Sequence, residues 1–227
     1  MEKIQNNDFI KVSYTAKKAS TNEIFETTDE NAAKEAKIHS EDSKYGPALI
    51  VVGRKHMVPG IEEALTTMTV GEEKTIEVSP EKAYGNRRAD LVRLMPVAQF
   101  RRNNIDPYPG LVLNLDGISA TVKSVNSGRV TIDLNHPMAG EKLTYQVKIN
   151  EKLKTEEDKV KALLEESKLN GTITIEKTKL ELKVDPKLLN NENYFANKTL
   201  FLNLVKTLIP EFKKLIVIEE YENEEKA

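Results

Sequence analysis

An α+β fold in three units is what this 227-residue sequence predicts, and three observations carry that expectation. Between Tyr45 and Gly85 an apolar strand, a short amphipathic helix and an alternating strand present apolar faces that need one another. After Gly85 the composition shifts: six of the seven arginines fall between Arg87 and Arg129, while lysine dominates elsewhere. From Thr155 onward a capped helix, two alternating strands, a longer helix and a last strand make a further α+β pattern.

In chain order, residues 9–16 alternate loosely as a first strand, and residues 23–26, reached through Ser20-Thr21-Asn22, form a second. Residues 27–46 hold a polar helical segment at 31–37 and a charged loop, a solvated surface excursion. Residues 48–52 are the apolar strand, ended by Gly53. In the helix from Met57 to Met68, Ile61, Ala64, Leu65 and Met68 share one face while Glu62, Glu63, Thr66 and Thr67 point away. A turn at Gly71 leads to a strand at 74–78, where Ile76 and Val78 alternate with polar neighbours in the half-buried antiparallel pattern.

The compact loop 80–85 closes this stretch. Beyond it Pro107, Pro109 and Gly110 mark turns, and strands at 111–115, 120–125 and 130–134 are separated by Asp116-Gly117 and Asn126-Ser127-Gly128. Residues 141–149 give a closing strand in which Leu143, Tyr145, Val147 and Ile149 alternate. Thr155 caps a helix whose first turn carries Glu156, Glu157 and Asp158, where the dipole favours anions. Strands at 172–176 and 179–184, a helix at 195–209 and a strand at 215–221 follow.

Composition narrows the function classes. A hydrophobic content of 39% suffices for a core, and a net charge of −2 gives no general polyanion binder. The lack of cysteine excludes disulfides and thiol chemistry and suits a reducing cytoplasm. No signal-peptide core stands at the start, and no apolar run approaches the roughly 20 residues of a membrane helix, so no membrane partner is expected. No nucleophile with its base, metal cluster or carboxylate pair is apparent. Instead Met57, Val58, Ile61 and Tyr84 stand where strand meets helix and where the Ala83-Tyr84-Gly85 loop turns back, which suits a dry cavity with one phenolic hydroxyl.

These residues also carry a family pattern. Gly53, Met57-Val58, Pro59-Gly60-Ile61-Glu62, Val70-Gly71-Glu72 and Ser79-Pro80-Glu81-Lys82-Ala83-Tyr84-Gly85, in that order, resemble the FKBP-type peptidyl-prolyl isomerases. Val12-Ser13-Tyr14-Thr15 and Ile24-Phe25-Glu26 extend the likeness upstream, and Asn135 to Gly140 with Leu143-Thr144-Tyr145-Gln146-Val147 extend it downstream. The long interval between Tyr84 and Asn135 is similar to the SlyD-type subfamily, which carries a domain inserted in the flap, and the C-terminal region resembles that of long archaeal FKBPs.

The resemblance implies an antiparallel half-barrel sheet wrapped on a short helix, with domains at 1–86 plus 133–151, 87–132 and 152–227. It implies catalytic positions at Tyr14, Phe25, Glu26, Tyr84 and Tyr145, and a substrate surface from Ile50, Met57, Val58, Ile61, Met138, Ala139 and Leu143. Tyr84 would donate a hydrogen bond to the carbonyl beside the proline, Glu26 would orient Tyr14 or polarise the carbonyl's surroundings, and His136 would be structural. Partners would be proline-containing unfolded or extended polypeptides, with no cofactor. Glu26 stands where the family usually has aspartate and Tyr145 where it usually has phenylalanine. Ile61 and the neighbourhood of Ala48 and Ile50 are less aromatic than usual, which implies weaker binding of macrolide ligands.

In SlyD-like proteins the insert holds client polypeptide, which implies a chaperone role here, with Met95, Phe100 and Tyr108 as client contacts. Exposed apolar groups give sequence-tolerant contact and arginine adds carboxylate pairing. No nucleic-acid motif accompanies the arginines, so no nucleic-acid partner is expected. The C-terminal unit stands where many bacterial SlyD proteins carry a nickel-binding histidine tail; with His39, His56 and His136 as the chain's three histidines, no metal is expected. Its strand edges and helices leave a homodimer and client contact both open. Two functions follow: an isomerase whose insert raises activity on protein substrates, or alternatively a holdase with weak or no isomerase activity.

Overall fold

The computed structural model describes residues 2–115 and 117–221. The chain runs β1 (Phe9–Lys18), β2 (Ile24–Thr27), α1 (Glu30–Glu35), β3 (Ala48–Val51), α2 (Pro59–Leu65) and β4 (Glu73–Val78). The insert adds β5 (Val92–Pro96), α3 (Val97–Arg102), β6 (Val112–Leu115), β7 (Ile118–Asn126) and β8 (Arg129–Asp133). After β9 (Leu143–Leu153) come α4 (Glu156–Glu166), β10 (Gly171–Glu176), β11 (Lys179–Val184), α5 (Tyr194–Leu208) and β12 (Lys214–Ile218).

β1 is the hub of a five-stranded antiparallel sheet. β9 pairs with its whole length, from Phe9 opposite Leu153 to Lys18 opposite Leu143, and β4 continues the sheet beyond β9. On its other edge β1 holds β3 at its start and β2 towards its end. Side chains alternate across a strand, so Ile10, Val12 and Ala16 of β1, Ile50 of β3 and Tyr145, Val147 and Ile149 of β9 share the face covered by α2. Ile61, Leu65 and Met68 are fully buried there, each contributing about 1.5–3 kcal/mol of hydrophobic stabilisation. The approach is close at Gly60, where an added Cβ would lie 2.6 Å from Val78 Cγ1.

The opposite face is also covered at the start of β1. Phe9 and Val51, with Leu49 and Leu153 packed on them, belong to the same core as Val160 and Leu163 of α4, Leu180 and Leu182 of β11, and Phe201 and Val205 of α5. Burial on both faces explains why residues 48–52 form an unbroken apolar run. The C-terminal unit thus completes its core against the first sheet. Within it β10 and β11 pair antiparallel, and the chain crosses over through α5 to lay β12 parallel to β11. The cap at Thr155 is present, its Oγ1 accepting from the Asp158 N–H at 3.0 Å.

The insert is a four-stranded antiparallel sheet in the order β5-β8-β7-β6, around Phe100, Ala120, Val122, Val130 and Ile132. Two of its elements are not legible in the sequence. β5 is an edge strand whose Val92-Arg93-Leu94-Met95 run does not alternate, and α3 is six residues long, too short for helical periodicity to show. Of the turn expected at Asp116-Gly117, Asp116 lies outside the described residues. Among the described residues no helix is long and apolar enough to cross a membrane.

Candidate active site

Several elements converge on one end of the inner sheet face. β1 supplies Tyr14 and β2 supplies Phe25 and Glu26, while the segment entering α2 brings Met57 and Val58. A short 3-10 turn, Pro80–Lys82, precedes Tyr84. The return from the insert contributes His136, Met138 and Ala139 before β9 begins. Tyr14, Phe25, Met57, Val58, Tyr84 and Met138 are half-buried and pack on the core that holds Ile50, Ile61, Leu143 and Tyr145.

The aromatic rings form a connected set. Phe25 meets Tyr84 edge-on at 6.5 Å and 75°, and Tyr145 at 6.2 Å and 87°; Tyr14 lies 6.3 Å from Tyr145. These are the offset geometries that ring quadrupoles favour. The Tyr14 hydroxyl donates to Glu26 Oε1 at 2.6 Å. Burial first, then the bond to Glu26 and its charge, push the Tyr14 hydroxyl above the ordinary phenol value. Burial, with the charges of Tyr84 and Glu26, does the same for Tyr145; burial and Glu26 raise Tyr84, partly offset by the neighbouring Tyr145 hydroxyl. All three phenols therefore stay protonated at neutral pH, as hydrogen-bonding groups and not bases.

Depth divides the expected residues. Ile50, Ile61, Leu143 and Tyr145 are sealed in the core, Tyr145 with 1% exposure. Ile50, Ile61 and Leu143, like Tyr145, are inner-face residues beneath the half-buried layer. Ala139 is also buried, in a turn where its N–H donates to His136 O at 2.9 Å.

Two further side chains shape the site. Glu62, assigned to the solvent face by periodicity, reaches back: Gly53 N donates to its Oε2 at 2.6 Å and Met57 N to its Oε1 at 3.2 Å. One carboxylate thereby fixes the segment that presents Met57 and Val58. The available signal was an acid in the first turn of a helix that follows a glycine break. His136 stacks on Tyr84, and its Nδ1 accepts from Met138 N at 3.1 Å, which leaves the proton of the neutral ring on Nε2. Partial burial lowers its pKa from the usual histidine value.

Immediately upstream of His136 the two connections to the insert are tied together. The Asn135 side chain accepts from Arg88 N at 2.9 Å and donates to Arg88 O at 2.9 Å and to Asp133 Oδ1 at 2.7 Å. Asp133 is buried and pairs with Arg87. Burial pushes its carboxyl upward, but the Asn135 hydrogen bonds and the charges of Arg87 and Lys123 outweigh that and hold it below the usual carboxylate range.

The expected client contacts separate. Phe100 is 3% exposed at the centre of the insert's own core, which corrects its assignment to a binding surface. Met95 lies opposite Val130 and packs on that core, whereas Tyr108 is 60% exposed. The most exposed apolar residues on the edge strands are Leu94 at 57% and Val112 at 62%, with Val92 less so. Leu94 is one position from Met95; without β5, its facing was not legible.

Comparison with known proteins agrees with this geometry. The family model described as FKBP-type peptidyl-prolyl cis-trans isomerase matches residues 1–101, and that described as FKBP26, IF domain, matches residues 93–138. The chain is 34% identical over 148 residues to a short-type peptidyl-prolyl cis-trans isomerase of Methanocaldococcus jannaschii, covering 65% of this chain and 93% of that protein. It is 36% identical over 108 residues to a probable FKBP-type 16 kDa peptidyl-prolyl cis-trans isomerase of Pseudomonas fluorescens, covering 45% and 71%. Against the FKBP-type isomerase SlyD of Treponema pallidum it is 28% identical over 173 residues, covering 74% and 89%.

Proposed function

The chain belongs to the SlyD-like FKBP-type peptidyl-prolyl cis-trans isomerases, and on that premise we propose a division of labour: the site around Tyr84 rotates X-Pro bonds, and the insert holds the unfolded or extended polypeptide that carries them. The observation that carries this reading is the packing of Tyr14, Phe25, Met57, Val58 and Tyr84 on one core, with the apolar insert surface on the same chain.

The prolyl amide resists rotation because resonance keeps it planar, with a barrier of about 18–20 kcal/mol. Lowering that barrier requires neither a proton transfer nor a covalent bond. An apolar surface that removes water from the carbonyl favours the twisted amide, whose charge is less separated, over either planar form. Phe25, Met57 and Val58 supply that surface. The protonated Tyr84 hydroxyl is the donor for the carbonyl next to the proline, while Tyr14 is held by Glu26. On the insert, Leu94, Tyr108 and Val112 offer apolar contact that tolerates many sequences.

Proline-limited refolding of an unfolded protein, run beside turnover of a short proline peptide, tests the division. Replacing Leu94, Tyr108 and Val112 together by Ser should leave peptide turnover unchanged and remove most acceleration of refolding. Equal loss in both assays, or in neither, contradicts it.

A further inference from the structure

The insert has a concavity that the isomerase site does not explain. Between α3, the loop at 106–107 and the β7–β8 turn lies an open cavity of about 670 Å³. Val97, Ala98, Pro107 and Val125 give it an apolar wall, and Arg101, Arg102 and Asp106 complete the lining. Both arginines are exposed, and among the described residues neither has a carboxylate within ion-pair distance, unlike Arg87 and Arg88, which pair with Asp133 and Asp90. The same bias holds for the whole insert. Residues 87–132 carry six arginines and one lysine against three aspartates, a net +4, so the rest of the chain carries −6.

Building on the reading that the insert holds client polypeptide, we propose that this cavity selects clients by charge: it takes extended segments in which an Asp or Glu stands beside an aliphatic or aromatic residue. The apolar side chain covers the wall and the carboxylate meets the guanidinium forks, whose planar geometry matches it. A nucleic acid gains the arginines but nothing from the wall, and Asp106 opposes its phosphates. The remainder of the chain, at net −6, gives no overall attraction for the same carboxylates.

Short unstructured peptides with the same apolar residues, flanked by Glu, Gln or Lys, test this by fluorescence anisotropy with the full chain. The Glu-flanked peptide should bind about tenfold more tightly than the Lys-flanked one at low salt, the scale of two exposed ion pairs, and the gap should shrink as salt rises. Arg101→Gln with Arg102→Gln should erase the gap without altering prolyl exchange in a short peptide, and reversal to Glu at both positions should invert it. Equal binding of the two peptides, a gap that survives the arginine substitutions, or stronger competition by a single-stranded oligonucleotide overturns the selection. The Leu94, Tyr108 and Val112 triple Ser variant separates the two claims. If no peptide binds the native chain better than that variant, capture by the insert fails; if capture occurs without a charge order, only the selection fails.

Discussion

The imidazole of His136 lies flat against the phenol of Tyr84, with ring centroids 4.0 Å apart and planes 3° from parallel. This contact joins the segment returning from the insert to the loop that presents the proposed carbonyl donor. Replacing His136 by Ala should lower kcat/KM for a proline peptide about two- to tenfold, the scale of one aromatic pair, whereas Phe should restore most of it. An unchanged rate in the Ala variant removes His136 from the account.

Acid should act through the same residue. Its pKa is lowered in the folded protein, so its contribution is fully present above the unfolded value of about 6.5 and is lost as pH falls through the lower folded value. Protonation takes Nδ1 away as the acceptor for Met138 N–H. Activity should be level above neutrality and decline in mild acid, and the decline should be absent from the Phe variant. A decline of equal size in both would assign it to another group.

Asp133 and Asn135 tie together the two connections at the base of the insert. Substituting Asn135 by Ala leaves Arg88 N–H, Arg88 C=O and Asp133 each short of a partner, a cost of about 2–3 kcal/mol measurable by urea unfolding. The depressed Asp133 carboxyl contributes stability above its unfolded pKa of about 3.9 and loses it as pH falls through the folded value. Asp133→Asn should therefore flatten the acid limb of the stability curve. A variant with the native acid limb would exclude Asp133 as its source.

Glu62→Ala should cost about 1–2 kcal/mol, since Gly53 N–H and Met57 N–H lose their acceptor. Because the freed segment carries the proposed binding residues Met57 and Val58, KM should rise with little change in kcat, and Gln, which keeps one acceptor, should fall between. A drop in kcat at constant KM would place the effect elsewhere.

At Gly60 the space decides. Ala there would press on Val78 and should destabilise by about 1–3 kcal/mol, with part of the loss recovered when Val78 is also Ala. Strict additivity of the two substitutions would show that the contact is relieved without strain.

The first sheet was legible because its signals are local and periodic: Ile76 and Val78 alternate, and Ile61, Leu65 and Met68 recur at helical spacing. The site was legible largely through a motif, and the fold brings those residues together. What sequence missed depended on partners remote in the chain. Phe9 and Val51 look like ordinary strand residues until α4 and α5 cover their outer face. Phe100 looks like an exposed aromatic until α3 turns it inward, and Glu62 looks solvated until the loop from Gly53 folds over its carboxylate.

The central claim meets its most direct test in prolyl cis/trans exchange of a short unstructured peptide, followed by magnetisation exchange. The account predicts that the native chain accelerates exchange, that Tyr84→Ala loses at least about tenfold of that acceleration, the weight of one hydrogen bond to a polarised carbonyl with its ring packing, and that the Arg101 and Arg102 substitutions leave it intact. No acceleration by the native chain would contradict it and leave a polypeptide-holding protein built on an isomerase fold, whereas full activity without Tyr84 would remove Tyr84 as the carbonyl donor.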